Sequence, residues 1–200
     1  MIKLEGKILR QLQMTELEML VEVDRICRKY NIKYSLDGGT LLGAVRHNGF
    51  IPWDDDADVV MLRAEYDKFY KACQHELDRG RFFLQEYRTD DKYRWGYSKM
   101  RRNGTVFLRE GQEHVKCNQS VFIDIFVYDN VPDNYLIRRL HLFLCYCIRK
   151  ALYSEVGKKN ASNPFLRIWY RVLNRIPRNF WFCLIKKTAC ITNQKRHELV

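Results

Sequence analysis

No uninterrupted apolar run in these 200 residues approaches the roughly 18 to 20 needed to span a bilayer. The start, Met1 to Lys7, has no apolar h-region, so the chain is expected to be neither exported by that route nor integral to a membrane. There is no Cys-x-x-Cys. The seven cysteines (Cys27, Cys73, Cys117, Cys145, Cys147, Cys183, Cys190) form an odd set that indicates neither a disulfide framework nor a thiolate zinc site. They read as reduced packing residues of a cytosolic protein. No internal repeat or low-complexity tract occurs, and 46% hydrophobic content suffices for a core, so disorder is not the default. Acid is scarce in one region only: residues 131–200 hold 3 Asp/Glu against 14 Lys/Arg, a net +11, while residues 1–130 balance at 21 against 21. A neutral half followed by a basic half points to an anionic neighbour, whether membrane, glycan or nucleic acid.

What is present is concentrated between residues 36 and 61. Asp54, Asp56 and Asp58 alternate, so in an extended segment their carboxylates project from one face and Asp55 from the other. Like charges so placed repel by on the order of several kcal/mol at low effective dielectric, which a fold tolerates mainly around a hard divalent cation, Mg²⁺ or Mn²⁺. Val59-Val60-Met61 continues as a buried strand. Upstream, Gly38-Gly39-Thr40 follows a short apolar strand and opens a helix with Thr40 near its N-cap, which offers bare N–H groups to phosphate. The bland alternative is a tight turn followed by a solvated acidic loop or a Ca²⁺ site.

The string Asp37-Gly38-Gly39-Thr40-Leu41-Leu42-Gly43-Ala44-Val45-Arg46-His47, then Gly49-Phe50-Ile51-Pro52-Trp53-Asp54-Asp55-Asp56 and Asp58, resembles the LicD family of phosphocholine and related phosphodiester transferases. The resemblance implies an α+β, nucleotidyltransferase-like mixed β-sheet core with flanking helices, here carrying a basic C-terminal helical region. It also implies transfer of a phospho-alcohol from a CDP-linked donor to an anionic or lipid-linked cell-surface glycan, with release of CMP. In such an enzyme two cations lie on Asp56, Asp58 and a third acid from a neighbouring strand, with Asp54 ligating through water or supporting from behind. Family members usually continue beyond the point where this chain stops, so it is expected to be a shortened member or a fragment.

The third acid is Asp124. It interrupts the apolar run Val121 to Val127, where a lone carboxylate is expensive unless it is paired or cation-bound. Gly38, Gly39 and Thr40 are the expected phosphate cradle, assisted by Lys99 on a strand and by Arg46 as a bidentate clamp, for which a structural salt bridge to one of the aspartates is the nearly equal alternative. Lys99 and Arg101 share a face of a hairpin expected around Asn103-Gly104; a solvated edge charge competes evenly for Lys99 and is favoured for Arg101. Trp53 offers a ring face to a quaternary ammonium, although core packing is the preferred reading. His47 is a weaker candidate base.

Residues 9–30 and 63–79 read as amphipathic helices, the first carrying no chemistry and packing through Leu12, Leu17, Leu20, Val21, Ile26 and Cys27. Residues 1–130 are expected to form the catalytic core and residues 131–200 the basic helical region, with helices over 134–155, 164–176 and 177–193 and a break at 157–163. Arginines and lysines there alternate with Leu, Phe, Trp and Tyr, so 134–194 is a candidate peripheral contact with the inner, cytoplasmic face of a membrane, and nucleic acid is the disfavoured partner. Two other functions remain open: a nucleotidyltransferase using an NTP, and a non-catalytic basic membrane- or nucleic-acid-binding protein.

Overall fold

The computed structural model describes residues 5–193. The extreme start, read above as lacking an export signal, and the polar tail from 194 lie outside the described residues. The chain forms two compact units. The first comprises the residues up to Gln85 with Tyr97–Leu108 and Asn118–Tyr128. The second comprises Glu86–Gly96, Arg109–Cys117 and the residues from Asp129 on.

The first unit is α+β, as the resemblance implies. It runs α1 (Gly6–Lys29), β1 (Ser35–Leu36), α2 (Gly38–His47), β2 (Asp58–Leu62), α3 (Arg63–Glu76), β3 (Phe82–Gln85), β4 (Ser98–Arg102), β5 (Phe122–Tyr128). The strands form one mixed sheet in the order β1-β2-β5-β4-β3, in which only β2 and β5 run parallel. Alternation sends Val59, Met61, Met100, Ile123 and Ile125 into a core with Met19, Val23 and Ile26 of α1 and Tyr66, Phe69 and Cys73 of α3. The other face of the same strands carries a polar row, because Gln85 pairs with Lys99, Lys99 with Asp124 and Asp124 with Asp58.

Two expectations need correction. The packed stripe of α1 is Leu9, Leu12, Gln13, Glu16, Met19, Glu22, Val23, Ile26 and Cys27, while Leu17 and Val21 are exposed. The 3.6-residue period allows either stripe, and the one that packs carries three polar residues that composition alone would place outside. The hairpin at Asn103-Gly104 is also absent. Gly104 does turn the chain at φ +75, but β4 already has both edges occupied by β3 and β5.

In the second unit the helices are α4 (Tyr135–Leu152), α5 (Ser154–Asn160), α6 (Pro164–Leu173) and α7 (Arg178–Ala189), followed by a 3₁₀ turn at Cys190–Thr192. Asn134 and Asn163 cap α4 and α6 through their side chains, and Pro164 starts α6 where no N–H partner is needed. Gly157 does not break the chain but sits inside α5, since a Cβ there would lie 2.5 Å from the ring of Tyr170 on α6. No helix among the described residues is long and apolar enough to cross a membrane.

Candidate active site

The site is assembled where α2 begins and β2 begins. Asp37 is the residue before α2, and its N–H donates to the Asp58 carbonyl at 3.1 Å. The Asp58 N–H in turn donates to Thr40 Oγ1 at 2.8 Å. These bonds lock the first turn of α2 to the first residue of β2. Gly38 holds φ +50, which suits glycine, and its missing Cβ would lie 3.6 Å from Asp58 Oδ2. At Gly39 a Cβ would stand 2.6 Å from Asp54 Oδ2. Gly38 therefore serves the backbone turn and Gly39 the close approach of Asp54, and two carboxylates lie against a helix N-terminus whose dipole favours negative charge.

The loop between α2 and β2 is held from both sides. Gly43 abuts it so tightly that a Cβ would meet the Gly49 carbonyl oxygen at 2.5 Å. From α1, Gln13 Nε2 donates to the carbonyls of Ile51 and Asp54 at 3.2 and 3.0 Å. One turn on from Gln13, Glu16 is 1% exposed and its Oε2 has no hydrogen-bond partner. Burial first, then the charges of Asp56, Asp55, Asp54 and Asp58, push its carboxyl up to about 9.

Parallel pairing places Asp58 level with Asp124 on the adjoining strand. Burial, then Asp56, Asp124 and Asp37, raise the Asp58 carboxyl to about 7, partly offset by Lys99. Asp54 is also raised, chiefly by burial and then by Asp55. Asp124 is buried and accepts from Lys99 Nζ, which lies 3.5 Å from the centre of the Phe122 ring. Arg101, expected in solvent, is buried too: its Nε donates to Gln85 Oε1 at 2.7 Å and its other nitrogen to the Ser120 carbonyl. β4 is an inner strand, so neither cation stands on an edge.

The structure thus brings together Gly38, Gly39, Thr40, Asp54, Asp56, Asp58, Lys99 and Asp124. The Thr40 hydroxyl is engaged with the backbone of Asp58, so what it offers a phosphate is its N–H. Arg46 and His47 end α2, about 10 Å of helix rise from Gly39. Trp53 is 69% exposed, which overturns the packing reading, and His47 stands edge-on to it at 6.1 Å. Sequence reasoning missed Asp37, Gln13 and Glu16. Asp37 was signalled by its place before the glycines, whereas the α1 pair had no signal beyond lying at i and i+3.

Among the described residues, no three carboxyl, imidazole or thiol groups already form a metal-ligand shell. The chemistry of the donor set nonetheless fits a hard divalent cation. Asp58 and Asp54 are raised by burial and then by neighbouring carboxylate charge, and added positive charge would relieve that repulsion.

Replacing Gly39 by Ala should leave stability within about 1 kcal/mol, because the Asp54 side chain can swing away and Ala favours helix. It should weaken donor binding severalfold, because Asp54 is driven from the helix terminus. Urea melts read beside donor KM check this, and an unchanged KM would detach Asp54 from the site.

The nucleotidyltransferase-like core that the resemblance implies sets a glycine-opened helix N-terminus against acids on adjacent parallel strands, and the structure has that arrangement. Residues 31–141 match the family described as LicD/FKTN/FKRP, nucleotidyltransferase domain. The chain belongs to this family. It is similar to the lipopolysaccharide cholinephosphotransferase LicD of Haemophilus influenzae, with 37% identity over 133 residues, 62% of this chain and 46% of that protein. It thus spans about half the length of that relative. Uncharacterized proteins of Rickettsia prowazekii and Rickettsia typhi are each 44% identical over 48 residues, 24% of this chain and 18% and 16% of theirs.

Proposed function

We propose that this chain carries the catalytic region of a divalent-cation-dependent transferase. It moves a phospho-alcohol, phosphocholine in the first instance, from a CDP-linked donor to a cell-surface glycan and releases CMP. The observation that carries the reading is the register of Asp58 with Asp124 beside the Gly38-Gly39 helix terminus. In the reaction an acceptor hydroxyl attacks the phosphorus that bears the alcohol. The hydroxyl proton passes to water, the bond from that phosphorus to the bridging oxygen breaks, and CMP departs with the electron pair.

The N–H groups of Gly38, Gly39 and Thr40 receive the donor's phosphate oxygens. Asp56, Asp58 and Asp124 would hold Mg²⁺ or Mn²⁺, with Asp54 supporting through water, and the cation would supply neutralisation of the diphosphate and of the leaving group. Lys99 holds Asp124 in place through their buried ion pair. The exposed ring of Trp53 suits a quaternary ammonium, and Arg46 serves the donor or acceptor only from the far end of α2. The seven free thiols and the nucleotide donor support a cytoplasmic setting.

The test is CMP release from CDP-choline, CDP-ethanolamine and CDP-ribitol with Mg²⁺ or Mn²⁺, comparing the parent with an Asp56→Asn, Asp58→Asn double variant. Release from CDP-choline that needs the cation and disappears in the double variant is expected. Turnover of ATP or CTP instead would assign the site to nucleotidyl transfer. No turnover of any donor would sink the catalytic reading.

A further inference from the structure

We propose that α6 seats this protein on an anionic bilayer surface, lying in the plane of the headgroups. Tyr170 is the buried residue of α6, with its ring packed over Gly157 and edge-on to Tyr153 at 6.2 Å. At about 100° per residue, Phe165, Ile168 and Val172 point away from that seat and Trp169 stands beside them. Phe165 is 81% exposed and Trp169 59%, and Ile168 and Val172 are also open. The helix therefore turns its apolar arc outward, the reverse of what packing within its own unit would need.

A second feature sets the partner. Arg167 and Arg171 lie along one flank of the arc and Arg175 follows two residues beyond the helix end, all three exposed, and the side chains of Arg171 and Arg175 make no hydrogen bond or ion pair among the described residues. Residues 131–200 as a whole carry 14 Lys/Arg against 3 Asp/Glu. An apolar arc of Phe, Ile, Trp and Val beside a basic flank is the composition of an interfacial helix, with rings at headgroup depth and guanidinium groups on lipid phosphates. Neither α6 nor any other described helix is able to span the bilayer, so the contact is peripheral. Within the same unit α4 presents a similar exposed stripe, Leu136, Leu140 and Phe143. By contrast α7, which the sequence also offered for this role, turns Phe182 inward onto Tyr87 in a 4.7 Å stack.

The proposal does not depend on the catalytic reading, and its test does not read activity. The whole chain is sedimented with vesicles of neutral phosphatidylcholine and with vesicles in which 30 mol% is phosphatidylglycerol (roughly the charge density of an acidic leaflet). Binding to the anionic vesicles, weakened about tenfold at 0.5 M salt, is expected. A Phe165→Ser, Trp169→Ser variant should bind at least about tenfold more weakly, and an Arg171→Gln, Arg175→Gln variant should lose the preference for anionic lipid. Circular dichroism and gel filtration confirm that the variants fold, which is expected because all four side chains are exposed. Equal binding to neutral vesicles, no binding, or binding that both variants leave unchanged would overturn the proposal. So would a dimer that the Phe165→Ser, Trp169→Ser change dissociates, since the face would then belong to a second copy.

Discussion

Changing Asp58 to Asn should make the protein more stable and catalytically dead. The two effects share one cause. Burial and the charges of Asp56, Asp124 and Asp37 lift the Asp58 carboxyl from 3.8 to about 7, so the folded state holds a proton there that the unfolded chain has released. Stability is then fully present below pH 4 and is lost as the pH rises towards 7. Asn mimics the protonated form at every pH. The cation-free variant should match the parent near pH 4 and exceed it by about 2 kcal/mol at pH 8, after discounting the shift for partial solvent screening. In catalysis the same charge is what a divalent cation requires, and its removal should lower CMP release by at least about 10³-fold. Urea denaturation at the two pH values and a CMP assay measure both effects. A variant that is less stable at pH 8 would show that Asp58 is not strained, and one that still turns over donor would show that it is not catalytic.

Glu16 to Gln should raise stability further still. Its carboxyl is pushed from 4.5 to about 9, first by desolvation and then by Asp56, Asp55, Asp54 and Asp58. Because the folded pKa is the higher one, stability falls as the pH climbs from 4.5 to 9. At pH 8 the accumulated loss is about 5 kcal/mol. Gln keeps the shape and removes the charge, so the variant and parent should coincide near pH 4.5 and diverge steadily above it. Added Mg²⁺ should narrow the gap by stabilising the ionised cluster in the parent. A gap that does not depend on pH would mean that Gln gains by packing and that Glu16 is not electrostatically coupled to the loop.

These two acids differ sharply in how visible they were. Asp58 belongs to a nearly continuous string from Asp37 to Asp58 whose residue types and spacing are the basis on which phosphate and cation chemistry is proposed. That string folds largely on itself, so local reasoning reached Gly38, Gly39, Thr40, Asp54 and Asp56 with it. Glu16 sits 38 residues before Asp54 on a helix whose period was correctly read, with Leu12, Ile26 and Cys27 inside, but whose buried polar positions were not. A stripe with two glutamates and a glutamine is rejected on hydrophobicity, and only a cluster elsewhere in the chain gives those residues a reason to be inside. Lys99 and Arg101 were placed on the correct strand, but a solvent face was favoured for Arg101 and left level with phosphate binding for Lys99, for want of knowing that β4 is central.

By itself the sequence determined the α+β class, the family, the glycine turn with its acidic strand, Asp124 as an anomaly in an apolar run, and the division into a neutral part and a basic part. All of these are carried by contiguous residues or by counting. The tertiary structure decided what depends on non-local pairing. The parallel register of β2 with β5 sets Asp58 beside Asp124. The antiparallel register of β4 gives Asp124 to Lys99. The seat of Tyr170 on Gly157 turns the apolar arc of α6 outward. Periodicity states that a helix or strand has two faces, and only the partner it packs against selects which one is buried.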